Sequence, residues 1–268
     1  MSSSKWYLHK FYNKDVFIRQ YLPDTALFSR ESLKQFLSQY DKVIVKPDTL
    51  HGGKDVIRIA KTATGYSFVR VQGKQITVDS LDALYHNIIS HAMVKRYIVQ
   101  QAIPLATVYN RAYDIRSMLM RKPGDKWKFY GFFAKVAGPA SVITNVCRSK
   151  GYVITIEKAL QQSLDLTPTA IEGKKQELLK LSHKICTKFH EYKASTTQIG
   201  IDFGLDTNGK IWIIEVNFDL PAHSGNSFKR LPDQSNYYKV QKMKKYLLSL
   251  RQQKQKKSVT SSPLGKDK

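Results

Sequence analysis

Helical and strand hydrophobic periods alternate along this chain, and short turns rich in glycine, asparagine and aspartate separate neighbouring strands. Apolar residues recur at helical spacing over residues 29–40, 79–91 and 170–193. Between and after these segments lie shorter runs with the two-residue period of a strand. Because both periods are mixed along the chain, the pattern predicts an α+β fold rather than a helical bundle or a β-sandwich.

Two turns predict β-hairpins. Asn208-Gly209 separates strands at 198–205 and 210–216, and Asn-Gly is a strong hairpin signal. Pro123-Gly124-Asp125 separates strands at 114–121 and 127–136. The other strands are predicted at 43–46, 56–59, 66–71, 74–78 and 97–101.

The charge balance is unusual, since 44 basic and 21 acidic side chains give a formal net charge of +23. A positive field of this size favours polyanions, and nucleotides, nucleic acid, an anionic polymer or a membrane surface would all satisfy it. A generally basic surface without a dedicated partner is the alternative. With 42% hydrophobic residues, the chain can bury a full core in one large domain or two interlocked subdomains.

Only two cysteines, Cys147 and Cys186, occur, so a disulfide framework and a zinc site of paired Cys-x-x-Cys motifs are both excluded. No stretch reaches the roughly 18 apolar residues of a membrane span, and the N-terminus lacks a signal-peptide apolar region. These features predict a soluble, cytoplasmic protein. Residues 251–268, rich in Gln, Lys and Ser, are predicted to form a disordered basic tail.

Three oxygen-bearing side chains are candidate magnesium ligands. If the hairpin at Asn208-Gly209 forms, Asp202 and Glu215 come together across the ladder, and Glu215 and Asn217 project from one face. Mg²⁺ prefers a few carboxylate or amide oxygens and takes its other ligands from phosphates and water. The alternative is an ordinary polar edge with Asp202 as a turn residue.

Lys46 ends an otherwise apolar strand, directly before a loop with adjacent glycines. An ammonium in this position reaches solvent or an anion, and the backbone amides of His51, Gly52 and Gly53 could approach a phosphate closely. No Gly-x-x-x-x-Gly-Lys-Ser/Thr motif is present, which excludes a P-loop. A simple glycine turn is the alternative.

Arg116 and Lys135 lie in strands predicted to pair as a hairpin. Arg116 shares its face with two methionines, and a cation on an apolar face requires an anionic partner. That partner is either a ligand or an internal carboxylate. Asn145, after another apolar run, is a further candidate for a metal or phosphate contact.

In combination, these residues resemble the ATP-grasp superfamily, and within it the YheC/YheD family of spore-coat-associated proteins. The resemblance extends from residue 5 to residue 248 and depends on the order and spacing of short motifs. They are Lys5-Trp6, Tyr21-Leu22-Pro23-Asp24-Thr25, Val43-Ile44-Val45-Lys46-Pro47, Tyr97-Ile98-Val99-Gln100-Gln101, Asp114-Ile115-Arg116, Ala134-Lys135-Val136-Ala137-Gly138 leading to Thr144-Asn145, and Gly200-Ile201-Asp202-Phe203-Gly204 through Glu215-Val216-Asn217.

The resemblance implies two α+β lobes that clamp the nucleotide between antiparallel sheets, with an entry segment (about 1–40), a small ATP-binding lobe (41–103) and a larger lobe (104–250). It also implies roles for individual residues. Lys5 and Lys46 would contact the phosphates of ATP, and a mobile loop over the phosphates would consist of His51, Gly52, Gly53 and Lys54. The adenine would be bordered by Gln100, Gln101, Ala102 and Ile103. Arg116 and Lys135 would face the transferred phosphoryl group, and Mg²⁺, with Mn²⁺ as an alternative, would be held by Asp202, Glu215 and Asn217.

The implied activity is that of a carboxylate-amine or carboxylate-thiol ligase. A carboxylate attacks the γ-phosphate of ATP, and the acceptor then captures the acyl phosphate with release of ADP. Two features depart from the superfamily: Gln100 and Gln101 stand where many members have a glutamate, and the chain opens at the linker lysine without a preceding substrate-binding domain. The resemblance therefore predicts nucleotide binding first, and catalytic turnover only as a further hypothesis.

Two alternatives stay open. One is a non-catalytic ATP-binding structural component, associated with the spore and contacting coat proteins or an anionic polymer through its basic surface. The other is a nucleic-acid binder, which charge alone supports and which a sharp loss of binding with salt would mark. The carboxylate substrate and amine acceptor are not identified. The loop 219–226, with His223 and Ser224, is the candidate acceptor pocket, and an ordinary surface loop is the alternative.

Overall fold

The computed structural model of this chain describes residues 4–71, 73–139, 141, 144, 150–219 and 225–260. It contains two antiparallel sheets, each with its own apolar core. The strands are β1 (Thr25–Leu27), β2 (Lys42–Pro47), β3 (Ile57–Thr62), β4 (Gly65–Arg70), β5 (Ile76–Val78), β6 (Tyr97–Gln101), β7 (Thr107–Val108), β8 (Arg111–Met120), β9 (Lys128–Val136), β10 (Tyr152–Ile154), β11 (Gln198–Leu205) and β12 (Ile211–Phe218). The helices are α1 (Lys5–Asn13), α2 (Val16–Arg19), α3 (Arg30–Gln39), α4 (Leu81–Ser90), α5 (Ile156–Leu164), α6 (Pro168–Tyr192) and α7 (Ser235–Thr260), with a 3₁₀ turn at Asn226–Arg230.

The smaller lobe contains a sheet in the order β1-β6-β2-β3-β4-β5. Helices α3 and α4 supply Leu33 and Leu84 to its core, where they pack with Val45 of the interior strand β2. Ser29 caps α3 by accepting a hydrogen bond from the backbone N–H of Ser32, as expected for a serine at a helix start. The lobe therefore presents β2 and β6 side by side in the middle of its sheet.

The larger lobe has strands in the order β10-β9-β8-β11-β12, and β7 pairs with β8. Strand β11 is buried over its whole length because it pairs on both sides and α6 packs on the same core. Helices α1 and α2 also pack on this core, through Leu8, Tyr12 and Ile18. Since β1 belongs to the other sheet, the N-terminal 40 residues contribute to both lobes.

The α+β class predicted from the sequence is confirmed, and so are the hairpins β8–β9 and β11–β12. Helix α1 was not predicted. Helix α7 continues to Thr260, into the segment predicted as a disordered tail, because Gln and Lys favour helices and no Gly or Pro interrupts them before Pro263. Among the described residues, no helix combines the length and apolar character needed to cross a membrane.

Candidate functional site

A cleft opens between the two lobes. Side chains from α1, β2, β6 and β12 line it. Its polar lining residues are Lys5, His9, Thr25, Lys46, His51, Gln100, Glu215 and Asn217. Most of these were predicted from the sequence as phosphate, adenine or metal contacts, and the fold brings them together from four distant segments.

Lys46, near the end of β2, directs its ammonium into this cleft. Its Nζ donates a hydrogen bond to Oε1 of Gln100 at 2.8 Å, and Gln100 Nε2 donates to Oγ1 of Thr25 at 2.8 Å. Burial lowers the pKa of Lys46 to about 8, although the negative charge of Glu215 opposes this shift. Lys46 is thus a buried cation that is charged at neutral pH and only weakly neutralised by the protein.

Lys5 reaches the same cleft from the first turn of α1. Its Nζ donates to the backbone carbonyl of Leu50 at 2.5 Å and lies 3.5 Å from Oε1 of Glu215. The side chain is only 13% exposed. Lys5 therefore connects the loop after β2 with the end of β12, and its position depends on how α1 is anchored.

That anchor is Asp48, which is fully buried just after β2. Its carboxylate accepts hydrogen bonds from the Ser4 hydroxyl at 2.7 Å, the Trp6 backbone N–H at 2.8 Å and Arg96 Nε at 2.6 Å. The backbone N–H of Lys5 also donates to the Asp48 carbonyl at 2.9 Å. Sequence reasoning missed Asp48, because its partners lie more than 40 residues away and leave no local signal.

The loop after β2 has the backbone that its glycines suggest. Gly52 and Gly53 have φ values of +74° and +71°, in the left-handed region that residues with a β-carbon rarely adopt. His51, at the start of this turn, places Nδ1 4.0 Å from Oε1 of Glu215. At its far end, buried Asp55 accepts hydrogen bonds from Arg70 and from the Tyr97 hydroxyl. The loop is thus fixed at both ends beside the cleft.

A row of charged residues crosses the larger sheet next to the cleft. Arg116, Asp202 and Glu215 are register partners on β8, β11 and β12. Arg116 Nε and Nη2 each donate to one oxygen of Asp202 at 2.7 Å, and the Lys135 ammonium lies 2.8 Å from Asp202 and 2.9 Å from Asp114. Two cations and two carboxylates therefore form one buried network.

The network shifts the pKa values of both aspartates. Burial alone would raise the pKa of Asp202, but Arg116 and Lys135 outweigh it and hold that pKa well below the ordinary value. For Asp114, burial prevails over Lys135 and raises the pKa to about 6. Of the two partners predicted for Arg116, a ligand or an internal carboxylate, the structure shows the internal carboxylate Asp202.

The three predicted metal ligands lie close together. Asn217 Nδ2 donates to Asp202 Oδ2 at 3.2 Å and to Glu215 Oε2 at 3.3 Å, which leaves the amide oxygen Oδ1 as its coordinating atom. Asp202 is bound by Arg116 and Lys135, whereas the contacts of Glu215 with other described side chains are long, 3.5 Å to Lys5, 3.3 Å to Asn217 and 4.0 Å to His51. Within the described part of the chain, no three His, Cys, Asp or Glu side chains are placed to hold a metal ion.

Other predicted residues lie elsewhere. Lys54, Gln101, Ala102, Ile103, Gly52 and Gly53 are absent from the described residues that line the cleft, as are Arg116, Lys135 and the predicted metal ligand Asp202. The backbone N–H of Gln101 instead donates to the Asp24 carbonyl at 2.9 Å, which ties β6 to the segment before β1. Asn145, His223 and Ser224 lie outside the described residues.

Comparison with known proteins identifies the family. A family model described as YheC/D like ATP-grasp matches residues 2–250. The chain belongs to the YheC/D-like ATP-grasp family. The predicted ATP-grasp fold, with a cleft between two α+β lobes, is therefore confirmed. This chain is also 26% identical over 223 residues to the endospore coat-associated protein YheD of Bacillus subtilis (strain 168), a match that covers 80% of this chain and 47% of YheD.

The ATP-grasp chain thus spans about half the length of the curated relative it matches. Two solved structures also align with it. They are N5-carboxyaminoimidazole ribonucleotide synthetase from Thermotoga maritima (11% identity, TM-score 0.47, covering 88% of this chain and 46% of that chain) and the C-terminal domain of K. lactis Pby1, an ATP-grasp enzyme interacting with the mRNA decapping enzyme Dcp2 (13% identity, TM-score 0.45, covering 79% and 63%). Likeness at this level carries no information about substrate.

Proposed function

We propose that this ATP-grasp chain binds Mg-ATP in the cleft between its lobes and uses it to activate a carboxylate for ligation to an amine or thiol. The observation that carries this proposal is the convergence of Lys5 and Lys46 with Glu215 and Asn217 on one cleft. Cations on one side and oxygen ligands on the other are what a metal-bound triphosphate requires.

The phosphates are bound by Lys5 and Lys46. Both ammonium groups are mostly buried, so their attraction to a phosphate is less screened than that of surface lysines. The turn at Gly52 and Gly53 brings backbone amides close to the same region, since glycine has no side chain to keep a ligand away. We propose that this turn closes over the bound triphosphate.

Glu215 and Asn217 suit Mg²⁺, or Mn²⁺, because they offer a loosely held carboxylate and an amide oxygen. Asp202 would join them by exchanging its contact to Lys135 for the metal, which would keep its two bonds to Arg116. A metal ion held by these residues would neutralise negative charge on the phosphates.

Arg116 and Lys135 act on the transferred phosphoryl group. An oxygen of the substrate carboxylate attacks the γ-phosphorus, the bond to the β-phosphate oxygen breaks, and ADP leaves. The acceptor nitrogen or sulfur then attacks the acyl carbon, phosphate leaves, and the acceptor loses a proton. The bidentate bond to Asp202 fixes the orientation of Arg116 in advance, so little reorganisation accompanies the appearance of charge.

A second candidate function is a non-catalytic ATP-binding component of the spore coat. The specific observation in its favour is that both proposed catalytic cations are already neutralised by Asp202 and Asp114. The name of the Bacillus subtilis relative, an endospore coat-associated protein, also fits this candidate.

Calorimetric titration with ATP, in Mg²⁺ and in EDTA, tests the binding proposal. We expect Glu215→Gln to weaken Mg-ATP binding by about tenfold or more and to remove most of the Mg²⁺ dependence. The matched control is Glu177→Gln on α6, which removes an exposed carboxylate bonded to Lys174 and leaves binding unchanged. Equal affinities of the wild type and Glu215→Gln would overturn the metal assignment.

Release of ADP separates the two candidate functions. In a screen of carboxylate and amine pairs, a ligase forms ADP only when both partners are present, and Arg116→Lys lowers this rate without comparable loss of ATP affinity. ATP that binds but is never converted to ADP supports the structural candidate.

A further inference from the structure

The last helix differs from the rest of the surface in its charge. Helix α7 contains eight basic residues and no aspartate or glutamate over 26 residues. They are Lys239, Lys242, Lys244, Lys245, Arg251, Lys254, Lys256 and Lys257. The helix therefore contributes +8 to the formal net charge of +23.

Most lysines of α6 show the ordinary arrangement for comparison. Lys174, Lys175 and Lys188 each form an ion pair with a glutamate three residues along the helix or before it. On α7, Lys242, Lys245 and Arg251 are exposed and take part in no ion pair among the described residues. Uncompensated cations repel one another along a helix, so this face lacks an anion that would stabilise it.

Two of these cations, Lys242 and Lys245, lie on one side of α7 together with an aromatic ring. At 100° per residue, Tyr238, Lys242, Lys245 and Ser249 form a single stripe. Val240, on the opposite side, is fully buried in a cluster with Met118 and Phe228. The stripe therefore faces solvent because the helix is docked through its other side, and Tyr238 is 64% exposed on it.

A second ring extends the stripe. Tyr246 is 38% exposed, and the ammonium of Lys122, from the turn between β8 and β9, lies 4.9 Å from the centre of its ring. This contact joins a further cation to the face of α7. We call the surface formed by Lys122, Tyr238, Lys242, Lys245 and Tyr246 the basic face.

We propose that the basic face binds single-stranded nucleic acid, with phosphates at Lys242 and Lys245 and an unstacked base on Tyr238. Spaced cations follow a phosphate backbone, and exposed aromatic rings among them supply stacking platforms for bases. An acidic polypeptide or a polymer of phosphate alone would use the lysines but leave the tyrosines without a role. No residue of the basic face lines the cleft described above, so this binding is independent of the proposed ligase activity.

Fluorescence anisotropy of labelled oligo-dT with the full chain, at several salt concentrations, tests the inference. We expect Lys242→Glu/Lys245→Glu to weaken binding by about tenfold or more and to reduce the salt slope by about two. The matched control, Lys34→Glu/Lys180→Glu, makes the same change in net charge at exposed lysines of α3 and α6, which also lack ion pairs among the described residues, and weakens binding less than about threefold. Equal losses in both double variants would show attraction by net charge only and overturn the site.

The role of the ring needs its own variant. Tyr238→Ala is expected to weaken oligo-dT binding about fivefold or more with the salt slope unchanged, because stacking is not a charge effect. Inorganic polyphosphate and poly-aspartate serve as competitors. If Tyr238→Ala binds like the wild type, and polyphosphate or poly-aspartate displaces oligo-dT at equal charge concentration, the partner is a simple polyanion and the proposal is wrong.

Discussion

Gly200 shows how one residue without a side chain fixes a cation. A β-carbon at this position would stand 2.8 Å from Nη1 of Arg116, and Arg116 cannot move aside without breaking its two bonds to Asp202. We expect Gly200→Ala to lower the free energy of unfolding by about 1–3 kcal/mol, as measured by urea denaturation.

Gly173 provides the matched control. It lies inside α6, and a β-carbon there would meet nothing within 4 Å. Gly173→Ala should therefore raise the free energy of unfolding by about 0.5–1 kcal/mol, because alanine favours the helix. Similar effects of the two substitutions would contradict the close contact between Gly200 and Arg116.

The proposed phosphate contact of Lys46 predicts that nucleotide affinity depends on pH. Because burial lowers the pKa of Lys46 to about 8, the cation proposed to contact phosphate is lost as the pH rises through that value. We expect the dissociation constant for Mg-ATP to rise about tenfold between pH 7 and pH 9, with little change below pH 7. Lys46→Arg keeps its charge over this range and should flatten the profile. A steep rise retained in that variant would assign the titration to another group.

The same shift has a consequence for stability. The unfolded chain has the ordinary lysine pKa of 10.5, so between about pH 8 and 10.5 the unfolded state binds more protons than the folded state. The contribution of Lys46 to stability therefore increases with pH across this window. Burying the charged form is unfavourable for folding, and an anion bound in the cleft would offset this cost.

At the scale of elements, Asp48 decides how α1 is placed relative to β2. Asp48→Asn removes the charge that faces Arg96 and one acceptor for Ser4 or Trp6. We expect a loss of about 1–3 kcal/mol in the free energy of unfolding, moderated by the partial exposure of Arg96, together with weaker Mg-ATP binding because Lys5 is displaced. Calorimetry and urea denaturation measure the two effects.

An exposed ion pair is the control for Asp48. Asp82, at the start of α4, pairs with Arg30 of α3, and both side chains are exposed to solvent. Asp82→Asn removes this ion pair. Its effect on unfolding should be much smaller than that of Asp48→Asn, and its effect on ATP binding should be absent. If Asp48→Asn changed stability but not ATP affinity, the link between α1 and the cleft would be wrong.

The elements with strong periodicity could be predicted from the sequence. Ser29 marked the start of α3, and Asn208-Gly209 marked the turn between β11 and β12. Helix α1 could not be predicted in this way. Its sequence, KWYLHKFYN, mixes aromatic and basic residues, and only Leu8 and Tyr12 are buried. Its stability comes from the cap at Ser4 and from packing on the larger lobe, and neither is visible locally.

The candidate site could be predicted only where its residues leave a local signal in the sequence. Lys46 and the glycines after it stood out because a charged residue ended an apolar strand, and Asp202 and Glu215 followed from the hairpin register. The pairing of Arg116 and Lys135 with Asp202 depends on which strand lies beside β8, and strand order is not written in any single segment. The sequence therefore indicated the participants but not their partners.

At the scale of the whole molecule, the apolar core of each lobe lies beside the cleft between them. A ligand that contacts β2 and β12 together stabilises both lobes, because it binds only when they are folded and adjacent. We expect saturating Mg-ATP, at about 100 times its dissociation constant, to add about 2.7 kcal/mol to the free energy of unfolding. ATP in EDTA should add markedly less. Thermal unfolding that is identical with and without Mg-ATP would contradict a ligand site between the lobes.

A crystal structure of this chain with Mg²⁺ and a non-hydrolysable ATP analogue tests the central claim most directly. The account predicts the triphosphate in the cleft, within hydrogen-bonding distance of Lys5 and Lys46, and a metal ion on Glu215 and Asn217. An analogue bound elsewhere, or a metal that contacts neither Glu215 nor Asn217, would contradict it.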